Sequence, residues 1–118
     1  MFNFEKLETG QEAIAFADTV YQLTRTFPAE ERFGLTNPMR RAAVSISSNL
    51  AEGCSRSAKS DYARFVEIAT GSVFEGVSPA TIGRNQGFLN QTEYEQLYAA
   101  AEKQSRMLSG LRKSLEVR

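Results

Sequence analysis

Two sets of polar residues recur at helical spacing and are the first candidates for chemistry. Arg41, Ser45, Asn49 (or Ser48) and Glu52 follow one another at steps of three or four, and so do Arg64, Glu67, Gly71 and Glu75. On helices each set forms a single face. Guanidinium and carboxylate groups in such rows can build a site. They can equally form ion pairs that fix helix register or a subunit interface. No reactive group of matched type accompanies them, which favours the structural or interface reading.

A second candidate is electrostatic. The chain carries no formal net charge, which argues against a simple electrostatic glue for nucleic acid. Its distribution is uneven. Residues 1–33 hold six acids against three bases, whereas residues 34–59 hold Arg40, Arg41, Arg56 and Lys59 against Glu52 alone. That segment is the one electrostatic pointer to an anionic partner, RNA or DNA. Arg40 and Arg41 also fall in the first turn of a predicted helix, where the backbone dipole disfavours cations. A carboxylate from another helix, a neighbouring chain or a phosphate would compensate them.

Other chemistry is bounded by what the chain lacks. With no histidine, one chain cannot build a histidine-dependent triad, a zinc site of the usual type or a Glu-x-x-His di-iron site. The single cysteine, Cys54, excludes an internal disulfide framework and reads as a tolerated free thiol, because no histidine is present to activate it. No glycine-rich phosphate loop is found. The residues therefore imply no catalytic group, no cofactor and no metal. No apolar run approaches the roughly 18–20 residues of a membrane span, and the first residues lack a signal-peptide pattern. The expected location is the cytoplasm, without a membrane partner.

The elements that would carry these residues are helical throughout, within one domain over residues 1–118. Ala13, Phe16, Val20, Leu23 and Phe27 predict a first helix from Thr9-Gly10 to Phe27, stopped by Pro28. Residues 29–33 are expected to add one turn before Gly34. Thr36 as cap and Pro38 in the first turn predict a second helix from Met39 to Ala51 or Glu52, with Gly53 as its stop. Its many Ala and Ser residues allow close approach from several sides, so it is expected to be central. Ser60 is expected to cap a third helix with Tyr62, Phe65, Ala69 and Ser72 inward and Val66 and Val73 beside them. Thr92 and Glu95 match a capping box for a fourth, with Tyr94, Leu97, Ala101, Leu108, Leu111 and Leu115 inward. It is expected to reach Leu115 or Val117. Four helices on short connectors predict an all-α, antiparallel up-down-up-down four-helix bundle.

The pattern fails between Gly76 and Gln86, where Gly76, Pro79 and Gly83 are poor helix material. Two readings stay open. In one, a genuine loop cuts the helix short near Glu75, with Pro79 kinking or terminating it. Alternatively, two compensating frame errors could mask a helical segment, since one permitted back-translation read a base later gives Glu-Ser-His-Leu-Gln-Leu-Leu-Ala-Ala-Ile.

The segment Gly34–Gly53, GLTNPMRRAAVSISSNLAEG, resembles the signature of the four-helix-bundle proteins first met as open reading frames in intervening sequences of 23S ribosomal RNA genes. The likeness extends to Phe16–Pro28, ending TRTFP, to Arg56, to DYARFVEIATGSVFE at Asp61–Glu75, to Gly87-Phe88-Leu89 and to RMLSGL at Arg106–Leu111. It implies a bundle assembled as a ring-like homopentamer, with no enzyme activity. A related branch, the accessory variability proteins of diversity-generating retroelements, resembles basic pentameric barrels that bind nucleic acid and a reverse transcriptase. This chain departs from that branch in being neutral, and from the family in residues 76–86, where a leucine-rich segment is usual. The reading is a non-enzymatic homo-oligomeric scaffold that contacts nucleic acid or a nucleic-acid enzyme. Its alternative is a structural or protein-binding adaptor with no nucleic-acid partner.

Overall fold

Apolar residues at steps of three and four make helices stable only where neighbours cover their stripes, and four long helices do this for one another here. A computed structural model describes residues 1–116. The chain begins with a single turn, α1 (Asn3–Lys6), and continues into α2 (Glu8–Thr24), α3 (Asn37–Cys54), α4 (Lys59–Asn85) and α5 (Gln91–Ser114). Each long helix packs against its neighbours in sequence, and α2 also packs against α5. The result is a rod of 47 × 21 × 21 Å. Phe16, Val20, Met39, Ile46, Leu50, Val66, Leu97 and Leu108 fill its core. Among the described residues there is no strand, and no helix is long and apolar enough to cross a membrane.

The main departure from the sequence pattern is α4. It does not end near Glu75 but runs unbroken to Asn85, through Gly76, Pro79 and Gly83. Packing explains why poor helix formers are tolerated. Gly76, Ala80 and Gly83 are all buried along the inner face. A Cβ on Gly76 would lie 3.7 Å from the Ala42 side chain, and one on Gly83 would lie 3.2 Å from the Phe27 ring. Gly83 lets the Phe27 ring approach closely, Gly76 makes ordinary contact, and burial of this face outweighs propensity. Pro79 withholds one backbone donor, from the Glu75 carbonyl, but Glu75 lies on an exposed part of the helix where water can serve it. The residues as they stand make a helix, so helicity here needs no second reading frame.

Helix ends also shift for identifiable reasons. Helix α2 stops at Thr24, three residues before the expected end, and the chain then turns so that Phe27 packs on Phe88 at 5.7 Å between ring centroids. The expected Thr36 cap is not made. A 3₁₀ turn at Ala29–Glu31 and a wide π-type turn at Arg32–Thr36 feed directly into α3 instead, passing through Gly34. Gly53 is inside α3 and does not stop it. Tyr62 and Phe65 lie against it, the Tyr62 ring 2.9 Å from where a Cβ would be.

Helix α4 starts after Ala58, with no cap from Ser60. Its buried line is Ala63, Val66, Ala69, Ser72 and Val73, so Tyr62 and Phe65 are only half-buried and the inner stripe is rotated from the expected one. The capping box of α5 is Asn90 with Glu93, not Thr92 with Glu95. Asn90 Oδ1 accepts from the Glu93 N–H at 2.7 Å, and Glu93 Oε1 accepts from the Asn90 N–H at 2.9 Å. The α5 stripe is as expected except that Leu111 is half-buried and Gln104 occupies a core position. Val117 lies outside the described residues.

Candidate functional site

Because α3 and α4 make the broadest helix contact in the molecule, their outer sides form one continuous surface. Ser45 and Ser72 meet between them. From α3 this surface presents Arg41, Val44 and Ser48, and from α4 Ile68, Gly71, Glu75 and Ile82, all exposed. Ile82 is 46% exposed, Ile68 44% and Val44 43%. Three large apolar side chains on one two-helix face are more than scattered surface residues. Phe74, 64% exposed, stands two turns on from Glu67 and so on the α5 side of α4. A shallow groove of about 1120 Å³ crosses the end of this face, lined by Arg40, Arg41, Val44, Glu75, Pro79 and Ile82, among others.

The polar rows divide by partner. Ser45 lies in the α3–α4 contact, where its hydroxyl and carbonyl both accept from Asn49 Nδ2, at 3.0 and 2.8 Å. Glu52 pairs with Arg56, one turn on. Glu67 pairs across to Arg112 of α5 at 2.7 Å, so this charge fastens α4 to α5 and not to α3. The Arg64 guanidinium lies 5.2 Å from the Phe65 ring centroid. Among the described residues, Arg41, Arg64 and Glu75 have no oppositely charged partner within the chain.

The four basic candidates do not form one patch. Arg40 and Arg41 begin α3, whereas Arg56 and Lys59 lie beyond its end, roughly 24 Å away at 1.5 Å per residue. Arg40 finds compensation within the chain. Its Nε donates to Thr24 Oγ1 at 2.9 Å, and its guanidinium lies 4.6 Å from the Tyr21 ring centroid. The Arg56 guanidinium, besides meeting Glu52, lies 5.0 Å from the Phe65 ring centroid. Lys59 is exposed at the start of α4.

Cys54 is half-buried, and its sulfur shares a hydrogen bond of 3.2 Å with the Tyr62 hydroxyl. Burial, and then the adjacent thiol, push the Tyr62 phenol well above its ordinary value. This keeps the phenol neutral and makes it a local clasp between the end of α3 and the start of α4. Tyr21, Arg112 and the exposed apolar residues of α3 and α4 were not singled out by sequence. The available signal for the last was an apolar side chain on the outward side of a helix, as at Val44 and Ile82.

A model of the family described as 23S rRNA-intervening sequence protein matches residues 5–110. The chain belongs to this family. No curated protein matches it. Among solved structures, the chain is similar to a protein of unknown function from the S23 ribosomal protein family of Bacteroides thetaiotaomicron. The TM-score is 0.82 at 17% identity, covering 89% of this chain and 98% of that one. At that identity the likeness bears on the fold, and it supports a continuous helical arrangement over nearly the whole chain.

Proposed function

We propose that this chain is a self-assembling helical scaffold without catalytic activity of its own, an antiparallel up-down-up-down bundle whose copies join through the outer face of α3 and α4. The observation that carries this reading is the composition of that face. Val44, Ile68 and Ile82 are exposed beside Ser48 and Gly71, which leave room for close approach. The occupant we favour is a second copy. The same face carries both signs of charge without partners inside the chain, Arg41 and Arg64 against Glu75, so copies can satisfy one another. Zero net charge also adds no repulsion between them.

The family resemblance supports a closed ring of five, in which one patch of each copy meets a different patch of the next. Light scattering at micromolar concentration should give about five times the 13.1 kDa chain mass. A clean monomer there overturns the reading.

Contact with nucleic acid extends this proposal, with exposed arginines as its support. Binding of RNA or DNA that weakens steeply as salt rises is the expected result. Absence of binding at low salt would favour an adaptor that meets only protein, leaving the assembly intact.

A further inference from the structure

A second basic cluster lies where α2 ends and α3 begins. A cavity of about 330 Å³ there is lined by Arg25, Arg32 and Arg40 together with Thr24, Thr36 and Asn37, and by no carboxylate. Among the described residues none of the three arginines pairs with an acid. Glu30 and Glu31 occupy the neighbouring turn without lining the cavity, and the Glu31 carboxylate is folded against Gly34.

Two further features mark the cavity as built. Arg40 is held in place: the Thr24 hydroxyl donates to the Val20 carbonyl at 2.7 Å, so its oxygen is free to accept from Arg40 Nε, while the Tyr21 ring supports the guanidinium face. Among the described residues, this leaves the terminal nitrogens of Arg40 without a protein acceptor. Thr36 lines the cavity and its hydroxyl caps no helix, so it can donate to a group held there. The site does not depend on free backbone donors, since the Asn37 N–H is bonded to the Arg32 carbonyl.

We infer that Arg25, Arg32 and Arg40, with the Thr36 hydroxyl, bind a phosphate group in this cavity. Guanidinium groups suit phosphate because their planar forks match its oxygens. A hydroxyl and an amide complete the donors around it. The phosphate belongs to a nucleic-acid backbone or to a free phosphate compound. In the first case this inference deepens the nucleic-acid part of the reading above, and it locates the contact at Arg25, Arg32 and Arg40 rather than along Arg40, Arg41, Arg56 and Lys59.

The test uses the full chain at low salt with two probes, inorganic phosphate by calorimetry and a fluorescein-labelled 20-nucleotide RNA by anisotropy. Arg25→Gln with Arg32→Gln removes two exposed charges that the core does not need, and Arg56→Gln with Lys59→Gln is the control. The first pair should weaken binding at least tenfold and the control should change it less than threefold. Thr36→Val should weaken phosphate binding while thermal melting shows the fold retained. Phosphate binding without RNA binding assigns the site to a free phosphate compound. Binding of both, or of RNA alone, with the same variant pattern assigns it to the backbone. RNA binding unaffected by the Arg25/Arg32 pair overturns the cavity but leaves a nucleic-acid role elsewhere. No binding of either probe by the wild type overturns the inference, and light scattering on the same samples judges the assembly separately.

Discussion

Ser45 and Ser72 share a hydrogen bond of 2.9 Å across the contact between α3 and α4. Ser72 Oγ also donates to the Ile68 carbonyl at 3.2 Å, and Ser45 Oγ accepts from Asn49 Nδ2 at 3.0 Å. Donation therefore runs from Asn49 to Ser45, from Ser45 to Ser72 and from Ser72 to the α4 backbone. Each hydroxyl gives and accepts once, with Ser72 only 4% exposed. Such a chain sets which turn of one helix faces which turn of the other.

Ser45→Ala and Ser72→Ala should each lower stability by about 0.5–1.5 kcal/mol. Combined, they should lose less than the sum, because the second change removes the partner that the first left unsatisfied. A double-mutant cycle from denaturant melts measures this coupling, expected at about 0.5 kcal/mol or more. Strict additivity would show that the two hydroxyls do not depend on each other.

Gly71 is the outward-facing gap in the α3–α4 surface: apart from its chain neighbours and its own helix backbone, nothing lies within 4 Å of where its Cβ would stand. In the isolated chain Gly71→Ala should stabilise α4 by about 0.5–1 kcal/mol through helix propensity. Gly71→Arg should leave helicity by circular dichroism unchanged but reduce the mass seen by light scattering. An intact oligomer in that variant would move the interface away from this face.

The glycines of the inner faces separate into those that need their missing Cβ and those that do not. Gly53→Ala should destabilise, because the new methyl would lie 2.9 Å from the Tyr62 ring. Gly76→Ala meets only ordinary contact at 3.7 Å and should be neutral or stabilising by up to about 1 kcal/mol. Pro79→Ala restores a donor to the Glu75 carbonyl and should add about 1–3 kcal/mol, less whatever contact the half-buried ring loses. Thermal melts of the three variants check the order. A loss in Pro79→Ala would mean that ring packing outweighs the missing hydrogen bond.

These residues also mark what the sequence could disclose. Stripes such as Ala13, Phe16 and Val20, or Leu97, Ala101 and Leu108, are legible because burial repeats at the helical period. The course of α4 beyond Glu75 was not, because local propensity counts Gly76, Pro79 and Gly83 against a helix while the packing that buries Gly76 and Gly83 comes from Phe16, Ala42 and Phe27 on other elements. Caps failed for a related reason. Asn90 and Thr92 both precede a glutamate by three, and only the route of the chain decides which one bonds. For the candidate sites, spacing found Ser45, Asn49 and Glu52 as a row but could not show that Glu67 reaches Arg112, 45 residues away. The joining of Arg25, Arg32 and Arg40 around one cavity depends on the turn between α2 and α3, which spacing alone does not describe.

Gln104 occupies a core position at 0% exposure, between Ala101 and Leu108. Its Nε2 donates to the Thr9 carbonyl at 3.3 Å, while Oε1 has no partner. A long hydrogen bond does not offset a buried unpaired acceptor, which costs about 1–3 kcal/mol. Gln104→Met, of similar shape, should therefore raise stability by about 1 kcal/mol in denaturant melts. A fall of the same size would show that the bond to Thr9, which fixes the register of α5 on α2, outweighs the unpaired oxygen.

The Tyr62 phenol gives the fold an alkaline limit. Burial, followed by the hydrogen bond to Cys54, pushes its ionisation above the ordinary value near 10. In the unfolded chain the phenol ionises from about pH 10, while the folded chain still holds the proton. Above that pH the unfolded state binds fewer protons than the folded one, so stability falls as pH rises. The contribution is fully present below about pH 10 and is lost progressively above it. Denaturant midpoints at pH 8 and above pH 10 should show this loss in the wild type and a smaller loss in Tyr62→Phe. Absorbance at 295 nm gives an independent reading: the Tyr62 phenol should ionise late in the folded protein and at its ordinary pH after unfolding. Tyr62→Phe should remove that late step, and an unchanged titration would show that the late-ionising group is not Tyr62.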